Sequence, residues 1–316
     1  MAKRRRSVIG IGVAVSLLTV ALAATSVSRH RAPAERSHLP QAGHGRLPGL
    51  RPGQQIAWGE AQVRLWEKAS STELFATQQH ILRVIWVHPP ARPPQLLVLT
   101  AEETSGPQPR RSHLYLLDPS QPDEARLLSP EPAYNFWDAS AGDVDGDGRQ
   151  EVALCTYSHT ARDPRYARRF FVYSWDEGGD LYPRWRGSRL CRPYLWARLA
   201  DATGDGKHEL LSVEVGLGGG QMLVAYQWNQ FGFWGLGHSA EYRELTVVDP
   251  NARIADVGRG VLALVRRADG QRRPALLALR EDGWQPVWWG PSAPEQSDAA
   301  DQPESSPNPT IGRHLQ

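Results

Sequence analysis

The chain has 316 residues, a formal net charge of +2 and only two cysteines. Its length suits either two average domains or one large all-β domain, and the near-neutral charge disfavours nucleic-acid binding. The 29 glycines, 25 prolines and 12 tryptophans favour many short strands and turns over long helices. We therefore expect an all-β fold.

Residues 1–28 have the composition of an export segment. Lys3–Arg6 form a positive region, and an uncharged apolar run follows from Val8 to Ala24. Ala21–Ala23 offers a small-x-small cleavage pattern, yet the apolar run also reaches the short limit of a membrane span, about 17–25 residues. A cleaved signal peptide and a retained membrane anchor both stay open. In either case we expect an exported protein, secreted or anchored to the outer face of the cytoplasmic membrane.

Two further segments lack a periodic apolar pattern. Residues 29–53 are rich in Pro, Gly and Arg, and residues 291–316 are rich in Pro, Ser, Asp and Gln. Such compositions bury too little apolar surface to offset the entropy of ordering the chain. We expect a flexible linker, a folded repeat domain at 54–290 and a disordered tail.

Within 54–290 a two-part apolar pattern recurs at nearly constant spacing. Its first part occurs at Gln95–Leu99, Glu151–Cys155, Glu209–Val213 and Val261–Val265, and its second at Leu114–Asp118, Val172–Asp176, Ala225–Asn229 and Leu277–Glu281. A half-unit at Val63–Glu67 precedes the first full unit. Units of three or four short strands without helices are typical of a β-propeller. We predict about five blades, four full repeats plus a partial one, with an incomplete or distorted array as the alternative.

An acidic, glycine-containing loop precedes the second unit. It carries side-chain oxygens at Asp143, Asp145, Asp147 and Glu151, with the carbonyl of Arg149 between the last two. Four carboxylates this close repel one another unless a cation offsets their charge. Calcium suits them because it takes 6–8 oxygen ligands in flexible geometry. We expect a calcium site here, with a metal-free turn as the alternative interpretation.

A second loop repeats the pattern before the third unit. Its matching positions are Asp201, Thr203, Asp205, Lys207 and Glu209. Because Thr203 replaces a carboxylate, we expect weaker calcium binding than in the first loop, and a metal-free turn stays equally open.

The spacing of both loops resembles the calcium loops of FG-GAP/VCBS-type repeats, the blades of integrin-alpha-like propellers. The resemblance rests on the ligand at position nine of each loop, which is followed at once by a strand. The spacing of the strands extends the resemblance over about Val84–Gly290. The first unit has Val87–Pro94 in place of the acidic loop and the fourth has only Asp256–Gly260, so neither is expected to bind calcium. The resemblance implies a calcium-stabilised propeller in secreted or surface proteins that mostly bind other molecules.

Three other groups of residues invite a function. A disulfide between Cys155 and Cys191 and two unpaired thiols both stay open. The cluster Arg162, Arg165, Arg168 and Arg169 is interpreted as a solvated loop. The tryptophans at regular repeat positions are expected to pack inside the blades. They are Trp175, Trp185, Trp228, Trp234 and Trp288. Trp289 is expected on the opposite face from Trp288 and exposed.

No catalytic constellation is apparent, so the sequence favours a non-enzymatic binding or interaction module. Its expected partner is a protein or a glycan at the cell envelope, with no nucleic acid and with membrane contact only through the N-terminal segment. The alternative is a carbohydrate-binding lectin or a carbohydrate-active enzyme that uses the central face of the propeller.

Overall fold

The structure, a computed structural model, contains twenty β-strands in five four-stranded sheets. It describes residues 43–45, 54–59, 61–67, 70–104, 109–121, 124–128, 135–160, 163–187 and 189–291, and these include no helix. The expectation of an all-β fold is confirmed for this part of the chain.

Each sheet is a run of four strands that are consecutive in the chain. The first sheet contains β1 (Gly43–Gly45), β2 (Gln54–Trp58), β3 (Gln62–Glu67) and β4 (Ser70–Ala76). The second contains β5 (His80–Val87), β6 (Gln95–Glu103), β7 (Arg110–Leu117) and β8 (Ala125–Leu128). The third contains β9 (Phe136–Gly142), β10 (Glu151–Ser158), β11 (Ala167–Trp175) and β12 (Leu181–Arg186). The fourth contains β13 (Tyr194–Ala200), β14 (Glu209–Val215), β15 (Gln221–Asn229) and β16 (Gly232–His238). The fifth contains β17 (Glu244–Ile254), β18 (Gly258–Arg266), β19 (Arg272–Arg280) and β20 (Gly283–Trp289).

Neighbouring strands within every sheet are antiparallel and adjacent in sequence, so each sheet is a meander. In the third sheet, for example, Val152 of β10 lies opposite Tyr173 of β11 and Ala141 of β9. Short hairpin connections make such pairing local, which is why the repeat is visible in the sequence. Five successive meanders give a β-propeller-like architecture.

Clusters of apolar side chains fill the spaces between successive sheets, four in all among the described residues. The strand β6 illustrates the consequence for sequence. Leu97 and Leu99 face the third sheet, whereas Leu96 and Val98 face the first. A strand buried on both faces has no solvent side on which to alternate polar residues. The continuous apolar run of β6 therefore reflects a sheet with neighbours on both sides.

The two ends of the array differ from its middle. A fifth apolar cluster, around Leu262 and Leu276, is formed by residues of the fifth sheet and its loops alone. On the first sheet, Ala57, Arg64 and Trp66 border a shallow groove of about 430 Å³. Within the described residues no apolar cluster joins the fifth sheet to the first.

The N-terminal half-unit is a complete four-stranded sheet, which corrects the count of four full repeats and a partial one. Its recognised segment, Val63–Glu67, lies within β3. Strand β1 instead lies inside the stretch that the composition marks as a linker, and it pairs with β2 in the register Gly43↔Trp58 and Gly45↔Ile56. The sequence Gly-His-Gly has no apolar periodicity, so nothing in it predicts a strand.

Most of the repeat tryptophans pack between sheets, as predicted. Trp175 is buried, with 6 % of its surface exposed. Trp185 and Trp228 both contact Phe233 edge to face, with ring centroids 5.1 and 5.3 Å away. Trp288 instead packs against the cluster that the fifth sheet forms alone. Aromatic pairs of this kind add about 0.5–1.5 kcal/mol beyond the area they bury.

Two tryptophan expectations are wrong. Trp234 is 67 % exposed, because Phe233 takes the inward position on β16 and its neighbour then faces outward. Trp289 does lie on the opposite face from Trp288, but it packs against the cluster between the fourth and fifth sheets and carries the guanidinium of Arg267 5.7 Å from its ring centroid.

Both cysteines are free thiols, Cys155 buried and Cys191 exposed. Among the described residues no helix is long and apolar enough to cross a membrane. The predicted export segment 1–28, most of the linker 29–53 and the tail after Pro291 lie outside the described residues.

Candidate functional site

Four loops lie along one rim of the array, each joining the first two strands of a sheet. We call this the acidic rim, formed by residues 88–94, 143–150, 201–208 and 255–257. The second and third of these loops are the two acidic loops that the sequence identifies. The first three of these loops touch in succession, and the third is joined to the fifth sheet through Arg259 of β18.

Contacts at both ends of the first acidic loop show this continuity. The backbone N–H of His88 donates to Oε1 of Gln150 at 3.2 Å, and its Nδ1 lies 3.1 Å from the same oxygen. The backbone N–H of His208 in the second acidic loop donates to the carbonyl of Asp143 at 2.7 Å.

Two glycines allow the acidic loops to approach this closely. A Cβ at Gly142 would lie 2.5 Å from the ring of His208. Gly146 has φ of +81°, and a Cβ there would lie 2.8 Å from Cε of Lys207. Only glycine fits both the left-handed backbone and the contact at Gly146.

Three carboxylates of the first acidic loop converge. Asp143, Asp145 and Glu151 each place one oxygen within 4.8 Å of the others. The loop backbone holds this arrangement, since Asp143 accepts hydrogen bonds from the N–H groups of Gly146 (2.6 Å) and Gly148 (2.8 Å). Among the described residues this is the one group of three His, Cys, Asp or Glu side chains placed to share a metal ion.

The fourth carboxylate of the loop, Asp147, is not part of this group. Asp147 is exposed and accepts the backbone N–H of Arg149 at 2.8 Å. The Arg149 side chain is also exposed. The geometry therefore assembles Asp143, Asp145 and Glu151, and leaves Asp147 facing solvent.

A guanidinium lies against the converging carboxylates. Nη1 of Arg184, on β12, donates to Oε1 of Glu151 at 2.7 Å, and Nη2 donates to Oδ2 of Asp145. The same group stacks over the ring of Trp228, 5.3 Å from its centroid. Arg184 thus bridges two carboxylates and supplies the positive charge that the cluster requires.

Burial and charge shift the titration of this group. Burial raises the pKa of Glu151, and the nearby charges of Asp145 and Asp147 add to the rise, whereas the N–H of Val144 and the charge of Arg184 oppose it. Burial acts to lower the pKa of Arg184, but its hydrogen bonds and charge interactions with Asp145 and Glu151 outweigh burial and raise it. Glu151 is therefore a carboxylate whose charge is costly without a cation beside it.

The second acidic loop is organised differently around Glu209, which is buried. Its Oε2 accepts the backbone N–H groups of Ala202 (2.9 Å) and Thr203 (3.2 Å), and its Oε1 accepts the Thr203 hydroxyl at 3.2 Å. Asp205 accepts the backbone N–H of Lys207 at 2.9 Å. Groups of the loop itself therefore supply the hydrogen bonds that the Glu209 carboxylate accepts.

The remaining acid of the second loop, Asp201, pairs with a residue of the fifth sheet. Nη1 of Arg259 donates to its Oδ2 at 2.5 Å, and Oδ1 accepts the N–H of Gly204 at 2.7 Å. Each acidic loop thus has an arginine as its counter-charge. Neither Arg184 nor Arg259 could be singled out from the sequence, because neither lies in the loop that it neutralises.

Between the loops, burial lowers the pKa of His208, against the opposing charges of Asp201 and Asp143. Its Nδ1 is buried without a hydrogen-bond partner in the described part of the chain. A neutral imidazole therefore separates the two acidic loops near neutral pH.

The arginine cluster after β10 differs from the predicted solvated loop. Arg168 and Arg169 lie on β11, and the side chain of Arg169 has no exposed surface. Its Nε donates to the carbonyl of Ser158 at 3.0 Å, and Nη2 lies 3.2 Å from Oδ2 of Asp163. Arg162 lies outside the described residues. A buried arginine requires such pairing, so we assign this cluster a role in stabilising the fold.

The carboxylate of Asp163 also contacts Arg165 and Arg189, at 3.0 Å each. The hydrogen bond from Arg165 is the largest favourable cause that lowers its pKa to about 2. A lowered pKa means that Asp163 stabilises the fold above its unfolded pKa, near 3.9, and that this contribution is lost as the pH falls towards 2. We expect Asp163→Asn to have a melting temperature that falls less steeply than wild type between pH 4 and pH 2.

Differential scanning calorimetry across that pH range checks this expectation. Asp269→Asn is the matched control, because Asp269 also caps a turn, by accepting the N–H of Gln271 at 3.0 Å, but has no arginine among its described hydrogen-bond and ion-pair partners. Identical slopes for Asp163→Asn and wild type would contradict the assignment.

Comparison with known proteins adds a distant structural similarity. No family model matches the chain, and no curated protein sequence matches it. Among solved structures, the chain is similar to the crystal structure of Saccharomyces cerevisiae Sqt1, with a TM-score of 0.44 and 14 % sequence identity. The similarity covers 80 % of this chain and 62 % of that chain, so it spans less than two thirds of the matched structure.

Proposed function

We propose that this protein is an exported, five-bladed β-propeller that uses calcium in its first acidic loop and acts as a binding or interaction module at the cell envelope. The observation that carries the calcium proposal is the convergence of Asp143, Asp145 and Glu151 within 4.8 Å. The spacing of the loop, which resembles that of FG-GAP/VCBS-type repeats, supports the same ion.

The ligand atoms of the first acidic loop are of the kind that calcium prefers. Asp143, Asp145 and Glu151 would hold the ion, because carboxylate oxygens are the ligands it prefers. When bound, calcium supplies two positive charges to a cluster that now has one guanidinium. Arg184 contacts two of the three carboxylates, so it competes directly with the ion. Calcium binding would therefore require Arg184 to release Asp145 and Glu151.

In the second loop we propose weaker binding or none. Thr203 and two backbone N–H groups use the oxygens of Glu209, and Arg259 pairs with Asp201. An ion would have to displace more of these contacts while gaining fewer carboxylates.

Exposed aromatic residues support an interaction role. Phe231, in the turn between β15 and β16, is 89 % exposed, and Trp234 of β16 is 67 % exposed. Exposed aromatic side chains are enriched in protein contact surfaces. The proposed partner is a protein or a glycan of the cell envelope.

Calcium binding is tested by isothermal titration of the purified full chain. We expect wild type to bind calcium and Asp145→Asn to bind at least tenfold more weakly, because asparagine keeps the Oδ1 that accepts the N–H of Asp147 but loses the charge. Asp176→Asn is the matched control: Asp176 accepts the N–H of Asp180 in the turn between β11 and β12, outside the acidic loops. No calcium uptake by wild type at millimolar ion would refute the proposed site.

Export is tested separately by cell fractionation. The full chain is expected outside the cytoplasm, and a chain lacking residues 1–28 is expected to stay inside. Equal distribution of the two would contradict export, whatever the calcium result.

A further inference from the structure

The first strands of four sheets share a distortion. In β5, β9, β13 and β17 the pairing register shifts by one residue at corresponding places. The residues directly after the shift are Arg83, Asp138, Trp196 and Asp249. β-bulges redirect side chains and are over-represented next to active sites, and Arg83, Asp138 and Trp196 stand at such positions.

Three of these strands bring an ion cluster together at the centre of the array. β9 packs between β5 and β13. Nε of Arg83 donates to Oδ1 of Asp138 at 2.7 Å, while Nε and Nη2 of Arg198 each lie 3.3 Å from Oδ2. The guanidinium of Arg198 also lies 5.6 Å from the ring centroid of Trp196.

The cluster of Arg83, Arg198 and Asp138 has a net charge of +1. Two arginines face a single carboxylate, and the neighbouring groups Cys155 and Tyr194 are uncharged at neutral pH, with burial raising the pKa of both still further. Burial also lowers the pKa of Arg83. A largely buried excess charge is costly, and proteins usually satisfy such groups with a partner.

The arginines also have donors left over. Within the described residues, Asp138 is the one acceptor of Arg83, so both of its Nη nitrogens stay available, as does Nη1 of Arg198. The two side chains keep 16 % and 25 % of their surface exposed, which leaves a route for a ligand. The Trp196 ring beside them supplies an apolar surface.

We propose that the central cluster binds an oxyanion, the carboxylate or phosphate group of a small ligand, between Arg83 and Arg198 with Trp196 beside it. Guanidinium donors match the paired oxygens of such a group. Asp138 then orients the two arginines and is a positioning residue. This site lies on the central strands and does not depend on calcium at the acidic rim.

The experiment titrates the full chain with inorganic phosphate and, separately, with glucuronate, at constant ionic strength in chloride. Isothermal titration calorimetry is expected to show saturable binding of at least one of them, and the tighter one identifies the phosphate or the carboxylate as the recognised group. Glucose, which lacks the charge, is expected not to bind.

Arg198→Gln is expected to weaken binding at least tenfold, and Arg198→Lys to weaken it less, because lysine keeps the charge but not the paired donors. Arg280→Gln, at the exposed end of β19, is the control and is expected to match wild type. Arg83→Gln provides a second variant, and circular dichroism establishes that each is folded. Absence of saturable binding to wild type, or equal weakening by Arg280→Gln, would overturn the proposal.

Discussion

Asp138→Asn is expected to lower the free energy of unfolding by about 3–5 kcal/mol, because it removes the carboxylate that pairs with two partly buried arginines. Burial alone raises the pKa of Asp138, but the charges of Arg198 and Arg83 outweigh it and hold the pKa below its usual value. With only 6 % of its side chain exposed, Asp138 gains little compensation from water once the charge is lost.

The measurement is equilibrium urea unfolding at neutral pH. Asp180→Asn is the matched control, since Asp180 pairs with Arg126 at 2.8 Å but keeps 65 % of its side chain exposed. Exposed pairs contribute about 0–1 kcal/mol. An Asp138→Asn variant as stable as this control would show that the central ion cluster is not a determinant of the fold.

The sign of the pH dependence gives a second readout of the same residue. Because its pKa is lowered on folding, Asp138 stabilises the protein above its unfolded pKa, and this contribution is lost as the pH falls through the folded value. The difference in stability between wild type and Asp138→Asn should therefore shrink towards acid pH. A constant difference would indicate a steric cause.

Phe171→Ala is the second change with a large expected effect. Phe171 has no exposed surface and lies in the apolar cluster between the second and third sheets. Truncating a buried phenylalanine to alanine typically costs about 3–5 kcal/mol through lost transfer energy and the cavity left behind. A loss of this size would be a large fraction of the total for a domain stabilised by about 5–15 kcal/mol.

Urea unfolding also checks this prediction, with Tyr182→Ala as control. Tyr182 lies on β12 of the same sheet but is 49 % exposed, so its truncation should change stability by about 0.5 kcal/mol or less. Equal losses for the two variants would contradict the packing of the second sheet against the third.

The repeat could be predicted from sequence because its contacts are local. One hairpin places Val152 and Tyr173 opposite each other, so the apolar runs, the turns and the spacing all record the same unit. The strand at Gly43–Gly45 escaped prediction because its pairing with β2 leaves no apolar pattern. Trp234 was misplaced because Phe233, one residue earlier, took the inward position on the strand.

The acidic loop could likewise be recognised, since its acids are contiguous. The arginines that pair with these acids could not be recognised from the sequence. Arg184 is 33 residues from Glu151, and Arg259 is 58 residues from Asp201. The packing of whole sheets determines which arginine meets which carboxylate, and no local periodicity encodes it.

The central ion cluster could not be predicted from the sequence for the same reason. Arg83 and Arg198 lie 55 and 60 residues from Asp138, on the first strands of two other sheets. In the sequence each is an isolated arginine within a mostly apolar strand. Only the side-by-side placement of β5, β9 and β13 makes them one group.

The most direct test of the calcium proposal is a titration of calcium into Arg184→Gln beside wild type. Arg184 contacts Asp145 and Glu151, so its removal should relieve competition with the ion and tighten calcium binding about tenfold, or about 1.4 kcal/mol. At calcium a hundred times the dissociation constant, ligand linkage should then stabilise the variant by about 2.7 kcal/mol. Unchanged or weaker calcium binding by Arg184→Gln would contradict the account of the first acidic loop as a site where calcium and an arginine compete.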